Sequence, residues 1–158
     1  SFMATELFPF IERRLPAAKG DRTIIGHSYG GLFATFVLLT EPELFNRYII
    51  VSPSLWYANR TAITMADRAV SSGQRPAARV FLGVGASENQ PQSGRVMVDD
   101  LKELAGKLRK LPGLRVDMQV FEGETHNSVF PGAVTRGLRT VFDRPPGNPE
   151  ATPQAPSP

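Results

Sequence analysis

The stretch TIIGHSYGGLF at residues 23–33 decides how this chain can fold, because two kinds of segment meet inside it. Residues 22–26 form a short, apolar and β-branched run, which predicts a buried strand. Residues 31–40 are apolar nearly all round, which predicts a helix buried against a sheet. The stretch therefore predicts a strand that passes directly into a helix, with Ser28 at the turn between them.

The same alternation of strand and helix continues along the chain. Further buried strands are predicted at 47–54, 78–85 and 114–123, and helices at 1–15, 60–72, 94–111 and 132–142. Short buried strands joined by helical crossovers predict the α/β class, with a parallel sheet of about four strands flanked by helices. We place this domain at residues 1–143. Residues 144–158 are polar and proline-rich, which predicts a disordered tail.

Composition excludes several classes of function. The chain has 158 residues, of which 41% are hydrophobic and 21% charged, which is typical of a globular domain. The net charge is only +3, without a Lys/Arg run, so neither nucleic acid nor a membrane surface is expected as a partner. The chain has no cysteine and two histidines far apart in sequence, so we expect no metal and no cofactor.

Ser28 lies between Gly26 and Gly30 in the pattern G-x-S-x-G, which in this context is typical of a nucleophile elbow. Small residues two positions on either side let the turn close, and the hydroxyl then projects above the sheet. The N–H of the next residue, Tyr29, points into the same space, where it could meet an oxyanion. The alternative is a glycine-rich turn that merely joins strand to helix.

A serine needs a base, and the base needs an orienting group. His27 is expected to leave the elbow in another direction and to be structural, so His126, just past the fourth predicted strand, is the candidate base. The candidate acid is Glu88, which lies between them in the loop after the third strand. Glu124 is the runner-up, Glu88 could equally be a solvated loop acid, and a dyad without an acid stays open.

Four blocks of the sequence carry a family resemblance. They are GHSYGGLFATFVLL, ELFNRYIIVSPSLWY, FLGVGASEN and FEGETHNSV. Together they resemble the "putative esterase" branch of the α/β-hydrolases, which includes esterase D-like enzymes and siderophore trilactone esterases of the enterochelin-esterase type. The resemblance implies Ser28 as nucleophile and His126 as base, and Glu88 falls where the family acid sits. The SPSLWY block is most like the siderophore esterases.

Trp56 and Tyr57 belong to that block, and they are candidates for lining an acyl or catechol pocket. A role as anchors of the loop in the core is the alternative for both residues. The substrate implied by the resemblance is a small-molecule carboxylic ester, cleaved through an acyl-enzyme, and its identity stays open.

The resemblance covers only the C-terminal half of the family fold, since family members are longer and carry several strands before the opening helix. We therefore expect a truncated α/β-hydrolase domain that lacks the usual second oxyanion donor. Strand 22–26 would be a bare sheet edge, which a second copy or a separate N-terminal segment could cover. A non-catalytic fragment that acts through such association is the alternative to an esterase. The chain start lacks the pattern of a signal peptide, and the compartment stays open.

Overall fold

The computed structural model describes residues 1–93 and 95–143, so the predicted tail at 144–158 lies outside the described residues. The strands of the described chain are β1 (Thr23–His27), β2 (Arg47–Val51), β3 (Ala78–Gly85), β4 (Asn89–Gln90), β5 (Arg95–Val96) and β6 (Leu114–Phe121). The α-helices are α1 (Phe8–Arg14), α2 (Tyr29–Thr40), α3 (Tyr57–Ser71), α4 (Met97–Leu108) and α5 (Val129–Phe142). Shorter turns are a π-helical one at Met3–Leu7 and 3₁₀ turns at Pro42–Leu44, Ala86–Glu88 and Pro91–Ser93.

The main sheet has four parallel strands in the order β1-β2-β3-β6, which confirms the predicted α/β class. Because the strands are parallel, their carboxyl ends lie at the same end of the sheet. The loops after β1, β2, β3 and β6 therefore gather at that end. In the described chain, β1 and β6 are the two outer strands of this sheet. The hairpin of β4 and β5 was not predicted, because two-residue strands are too short to show a periodicity.

Helices cover the sheet on both faces. On one face the large core includes apolar residues of α2, α3 and α4, such as Leu38, Ile63 and Leu101, packed with Ile50 and Leu82 of the sheet. On the other face α5 packs Val129, Ala133 and Val141 against Ile49, Val51 and Phe81. This double covering explains why the central strands read as continuous apolar runs rather than as alternating ones.

Helix α2 is less buried than its sequence predicts. Ala34, Val37 and Leu38 are buried, but the rings of Phe33 and Phe36 are 48% and 45% exposed. The difference has a topological reason: α2 follows β1, and β1 lies at the edge of the described sheet, where fewer neighbours are available.

Two helices, α1 and α5, each have a proline in their first turn. Helix α5 begins at Val129 rather than at residue 132, because Pro131 lies in the first turn, where backbone N–H groups have no partner within the helix. Pro9 likewise lies in the first turn of α1, after the π-helical turn at Met3–Leu7.

Within the described ranges, no helix is both long and apolar enough to cross a membrane.

Candidate active site

The turn between β1 and α2 holds Ser28 in a conformation that side chains rarely adopt, with φ 57° and ψ −118°. The Ser28 N–H donates to the carbonyl of Val51 at 3.1 Å, and the Ser28 carbonyl accepts from the N–H of Ser54 at 3.1 Å. The last residue of β2 and the loop after it therefore fix the backbone of Ser28 through its N–H and its carbonyl. A strained serine between strand and helix is the geometry of a nucleophile elbow.

The glycines of the elbow do not act as the motif alone predicts. A Cβ on Gly26 would lie 2.1 Å from the carbonyl oxygen of Gly30, so the turn closes only with glycine at 26. A Cβ on Gly30 would meet nothing within 4 Å, so the expectation that Gly30 must be small for the turn to close is wrong. The crowded position on the helix side is Gly31, where a Cβ would lie 3.0 Å from Val51 and Pro53 backbone atoms.

The predicted nucleophile, base and acid lie in one chain of hydrogen bonds. His126 Nε2 is 3.0 Å from Ser28 Oγ, and His126 Nδ1 is 2.7 Å from Glu88 Oε2. A carboxylate only accepts, so Nδ1 carries the proton, and Nε2 of the neutral ring presents its lone pair to the serine hydroxyl. Glu88 is thus a buried partner of His126, with 3% of its surface exposed, rather than a solvated loop acid.

Glu88 is held by further donors that the sequence analysis missed. Its Oε1 accepts from the hydroxyl of Ser52 at 2.6 Å and from the N–H of Gly85 at 2.7 Å. Ser52 is fully buried and has a φ of 43°, a left-handed conformation that is strained for a residue with a side chain. This conformation, directly after β2, brings the Ser52 hydroxyl to the Glu88 carboxylate. The buried Glu88 side chain therefore has three hydrogen-bond partners, which offset the cost of its burial.

His27 also lies beside the base, although it was expected to leave the elbow in another direction. Its Nε2 donates to the backbone carbonyl of His126 at 2.8 Å, and the two imidazole rings are 4.6 Å apart between centroids. Burial lowers the pKa of His27, and the neighbouring His126 lowers it further against the raising effects of its hydrogen bond and of Glu88.

A cavity of about 370 Å³ opens directly beside these groups. Its lining includes Ser28, His126, Ser54, Trp56 and Arg95. The Ser54 hydroxyl is 3.3 Å from Ser28 Oγ. Trp56 lines this cavity and also packs against the core, so both of the roles considered for it stay open.

Tyr57, the other pocket candidate, is not among the lining residues. It is 51% exposed, and its ring contacts those of Tyr29 and Trp56 edge-on, at centroid distances of 5.7 Å and 6.3 Å.

In the part of the chain that the structure describes, no cluster of three or more His, Cys, Asp or Glu side chains could hold a metal ion.

The parallel sheet, the strained serine at a strand–helix turn and the serine–histidine–glutamate arrangement define an α/β-hydrolase fold of the esterase type. The chain belongs to the family described as "Putative esterase", whose model matches residues 1–137.

Several similar proteins are siderophore esterases or hydrolases. The chain is 36% identical to the ferri-bacillibactin esterase BesA of Bacillus subtilis, over 87% of this chain and 48% of that protein. It is 32% identical to the siderophore enterobactin esterase of Emericella nidulans, over 87% of this chain and 53% of that protein. Among solved structures, the siderophore hydrolase EstB from Aspergillus nidulans superposes with a TM-score of 0.76 at 29% identity, over 88% of this chain and 55% of that one. The chain thus spans about half the length of these relatives.

Proposed function

We propose that this chain carries the catalytic machinery of a serine esterase. The observation that supports the proposal most is the continuous hydrogen-bond chain from Ser28 Oγ through His126 to Glu88. A hydroxyl, an imidazole and a carboxylate in this order provide a nucleophile, a general base and an orienting anion. The named relatives act on esters, which supports the same activity for this family member.

In the proposed reaction, Ser28 Oγ attacks the ester carbonyl while its proton passes to His126 Nε2. When the tetrahedral intermediate collapses, the bond to the alcohol oxygen breaks and His126 gives that oxygen its proton. Water, deprotonated by His126, then attacks the acyl-enzyme, and the proton returns to Ser28 as the acid leaves. Glu88 accepts from Nδ1 throughout, so it fixes the ring and stabilises the imidazolium without taking the proton.

The N–H of Tyr29 is the proposed donor to the oxyanion. Tyr29 is the first residue of α2, where a backbone N–H has no partner within the helix. The helix N-terminus adds partial positive charge at the same point.

The substrate class that we propose is a siderophore ester. Two observations support this: the relatives are siderophore esterases, and two aromatic residues beside the serine, Tyr29 and Trp56, line the cavity. Flat aromatic side chains suit the stacking of an aromatic or metal-chelating acyl group.

A second candidate role is association through the edge strand β1. Its outward side has no pairing strand in the described chain, and the side chain of Ile25, which projects from a face of the sheet at this strand, is 42% exposed. An uncharged outer strand favours pairing with another strand. This role is compatible with catalysis, because β1 pairs along its length while the serine lies beyond its carboxyl end.

Hydrolysis of a small ester panel, including a ferric siderophore, tests the proposed function. We expect Ser28→Ala to lose all measurable hydrolysis, because no other group replaces the nucleophile, and His126→Ala to be about as damaging. Ser72→Ala is the matched control and should keep the wild-type rate, because it removes a hydroxyl at the end of α3 that, among the described residues, bonds only to the carbonyl of Ala69. A Ser28→Ala variant that hydrolyses esters like the wild type would refute the assignment.

A further inference from the structure

Arg95 is the arginine of the cavity beside Ser28, and it is held against Trp56. Its guanidinium carbon lies 5.0 Å from the centre of the Trp56 ring, and both side chains line the cavity with Ser28 and His126. A guanidinium over an indole face is a favourable cation–π arrangement, and it restricts the arginine side chain. The positive charge is therefore placed at the site before any ligand arrives.

The acids of the cavity and of helix α4, which begins two residues after Arg95, have other partners. Glu88 is bonded to His126, Ser52 and Gly85. On α4, Asp99 accepts from Asn89 and lies 3.9 Å from Lys102, and Asp100 pairs with Arg60 at 2.8 Å.

Glu103 pairs with Arg60 and Lys107. Among the residues that the structure describes, no carboxylate forms an ion pair with Arg95. Apart from Arg95, the histidine and the engaged Glu88, the cavity is lined by neutral side chains.

We propose that Arg95 is a specificity-determining residue that binds an anionic oxygen of the ester, a carboxylate or a phenolate. The planar guanidinium can donate to both oxygens of a carboxylate at once or to the single oxygen of a phenolate, and the adjoining Trp56 ring can stack on the group that carries them. The proposal rests on the proposed function, since it takes this cavity as the ester site. It adds that anionic aromatic substrates are preferred over neutral ones of the same shape.

Binding of benzoate and of benzamide tests whether the site prefers a carboxylate, since the two ligands differ in charge and little in size. Trp56 is the sole tryptophan of the chain, so its fluorescence reports ligands that reach the Arg95–Trp56 pair. We expect benzoate to bind about tenfold more tightly than benzamide, a ratio typical of one charge-assisted contact. Comparing the binding of pentafluorophenolate with that of pentafluoroaniline tests in the same way whether the site prefers a phenolate.

Arg95→Gln should remove this preference, and Arg95→Lys should keep part of it, because a point charge remains while the two-pronged contact is lost. Arg68→Gln, which removes the same charge from an exposed position of α3, is the matched control and should keep the full preference. Higher salt should weaken the preference, because the arginine is exposed to solvent.

The result that would overturn the proposal is equal binding of the charged and neutral ligands, a preference that survives Arg95→Gln, or no binding of either anion by calorimetry. The Ser28→Ala variant distinguishes a failure of the Arg95 proposal from a failure of the proposed esterase function. It should keep the preference for the anion even though it cannot turn over an ester. A wild-type protein that hydrolyses esters but shows no such preference would refute the role of Arg95 alone.

Discussion

At the scale of single residues, His27 couples the elbow to the proposed base. It donates to the carbonyl of His126, and the two rings lie 4.6 Å apart. During catalysis His126 would become an imidazolium, and a second positive charge at this distance would oppose that step. Burial lowers the pKa of His27, which keeps it neutral and removes the conflict.

The lowered pKa of His27 predicts a pH dependence of stability. Its ordinary value is 6.5, so as the pH falls the unfolded chain takes up a proton on this side chain before the folded chain does. The free energy of unfolding should therefore decrease as the pH falls through about 6.5 and below. Urea unfolding of the wild type and of His27→Asn checks this, and the variant should show a shallower decrease.

The His27 variant should also remain more active than a His126→Ala variant, because His27 supports the base from outside the chain of proton transfer. A decrease of stability as steep in His27→Asn as in the wild type would show that another group governs the acid sensitivity.

Sequence reasoning reached some residues of the site and not others. Ser28, Glu88 and His126 could be predicted because each follows a recognisable strand, in an order known for α/β-hydrolases. Ser52 and Ser54 were missed, although they lie in the loop after β2, at the same edge of the sheet. Their hydroxyls reach the site only through the left-handed turn at Ser52, and nothing in the SPS sequence signals that conformation.

At the scale of elements, the turn between β1 and α2 depends on one glycine more than on the other. Gly26 faces the Gly30 carbonyl at a distance that admits no side chain, whereas Gly30 itself borders open space. The motif alone treats the two glycines alike, since close backbone approach is a property of the folded turn.

Gly26→Ala should destabilise the protein by about 1–3 kcal/mol or more, since the strand and helix must separate to admit the methyl group. Gly30→Ala, the matched control, should be neutral or stabilising by up to about 1 kcal/mol, because alanine favours the helix. Denaturant unfolding of both variants decides this. Equal destabilisation at the two positions would mean that the turn needs both glycines, as the motif alone implies.

At the scale of the whole molecule, the two outer strands of the described sheet differ in charge. Strand β6 carries the exposed side chains of Arg115 and Asp117, which discourage pairing with another strand. Strand β1 carries no Lys, Arg, Asp or Glu and exposes Ile25, and the adjoining α2 exposes Phe33 and Phe36. Among the described strands, β1 therefore provides the edge that another strand would join.

We expect the isolated chain to self-associate through β1. Ile25→Lys should shift it toward the monomer, because a charge on an edge strand opposes pairing. Gln119→Lys places the same charge on β6 and should leave the association unchanged. Size-exclusion chromatography with light scattering measures both. A wild-type chain that stays monomeric at high concentration, or an equal effect of both variants, would contradict this.

The central claim is that Ser28 is a nucleophile activated by His126 and Glu88, and labelling with a fluorophosphonate probe tests it most directly. Mass mapping should find one adduct, on Ser28, in the wild type and in Glu124→Gln, which changes an acid outside the hydrogen-bond chain. Labelling should be slower in Glu88→Gln and lost in His126→Ala and Ser28→Ala. An adduct on another residue, or undiminished labelling of Ser28 in His126→Ala, would contradict the account.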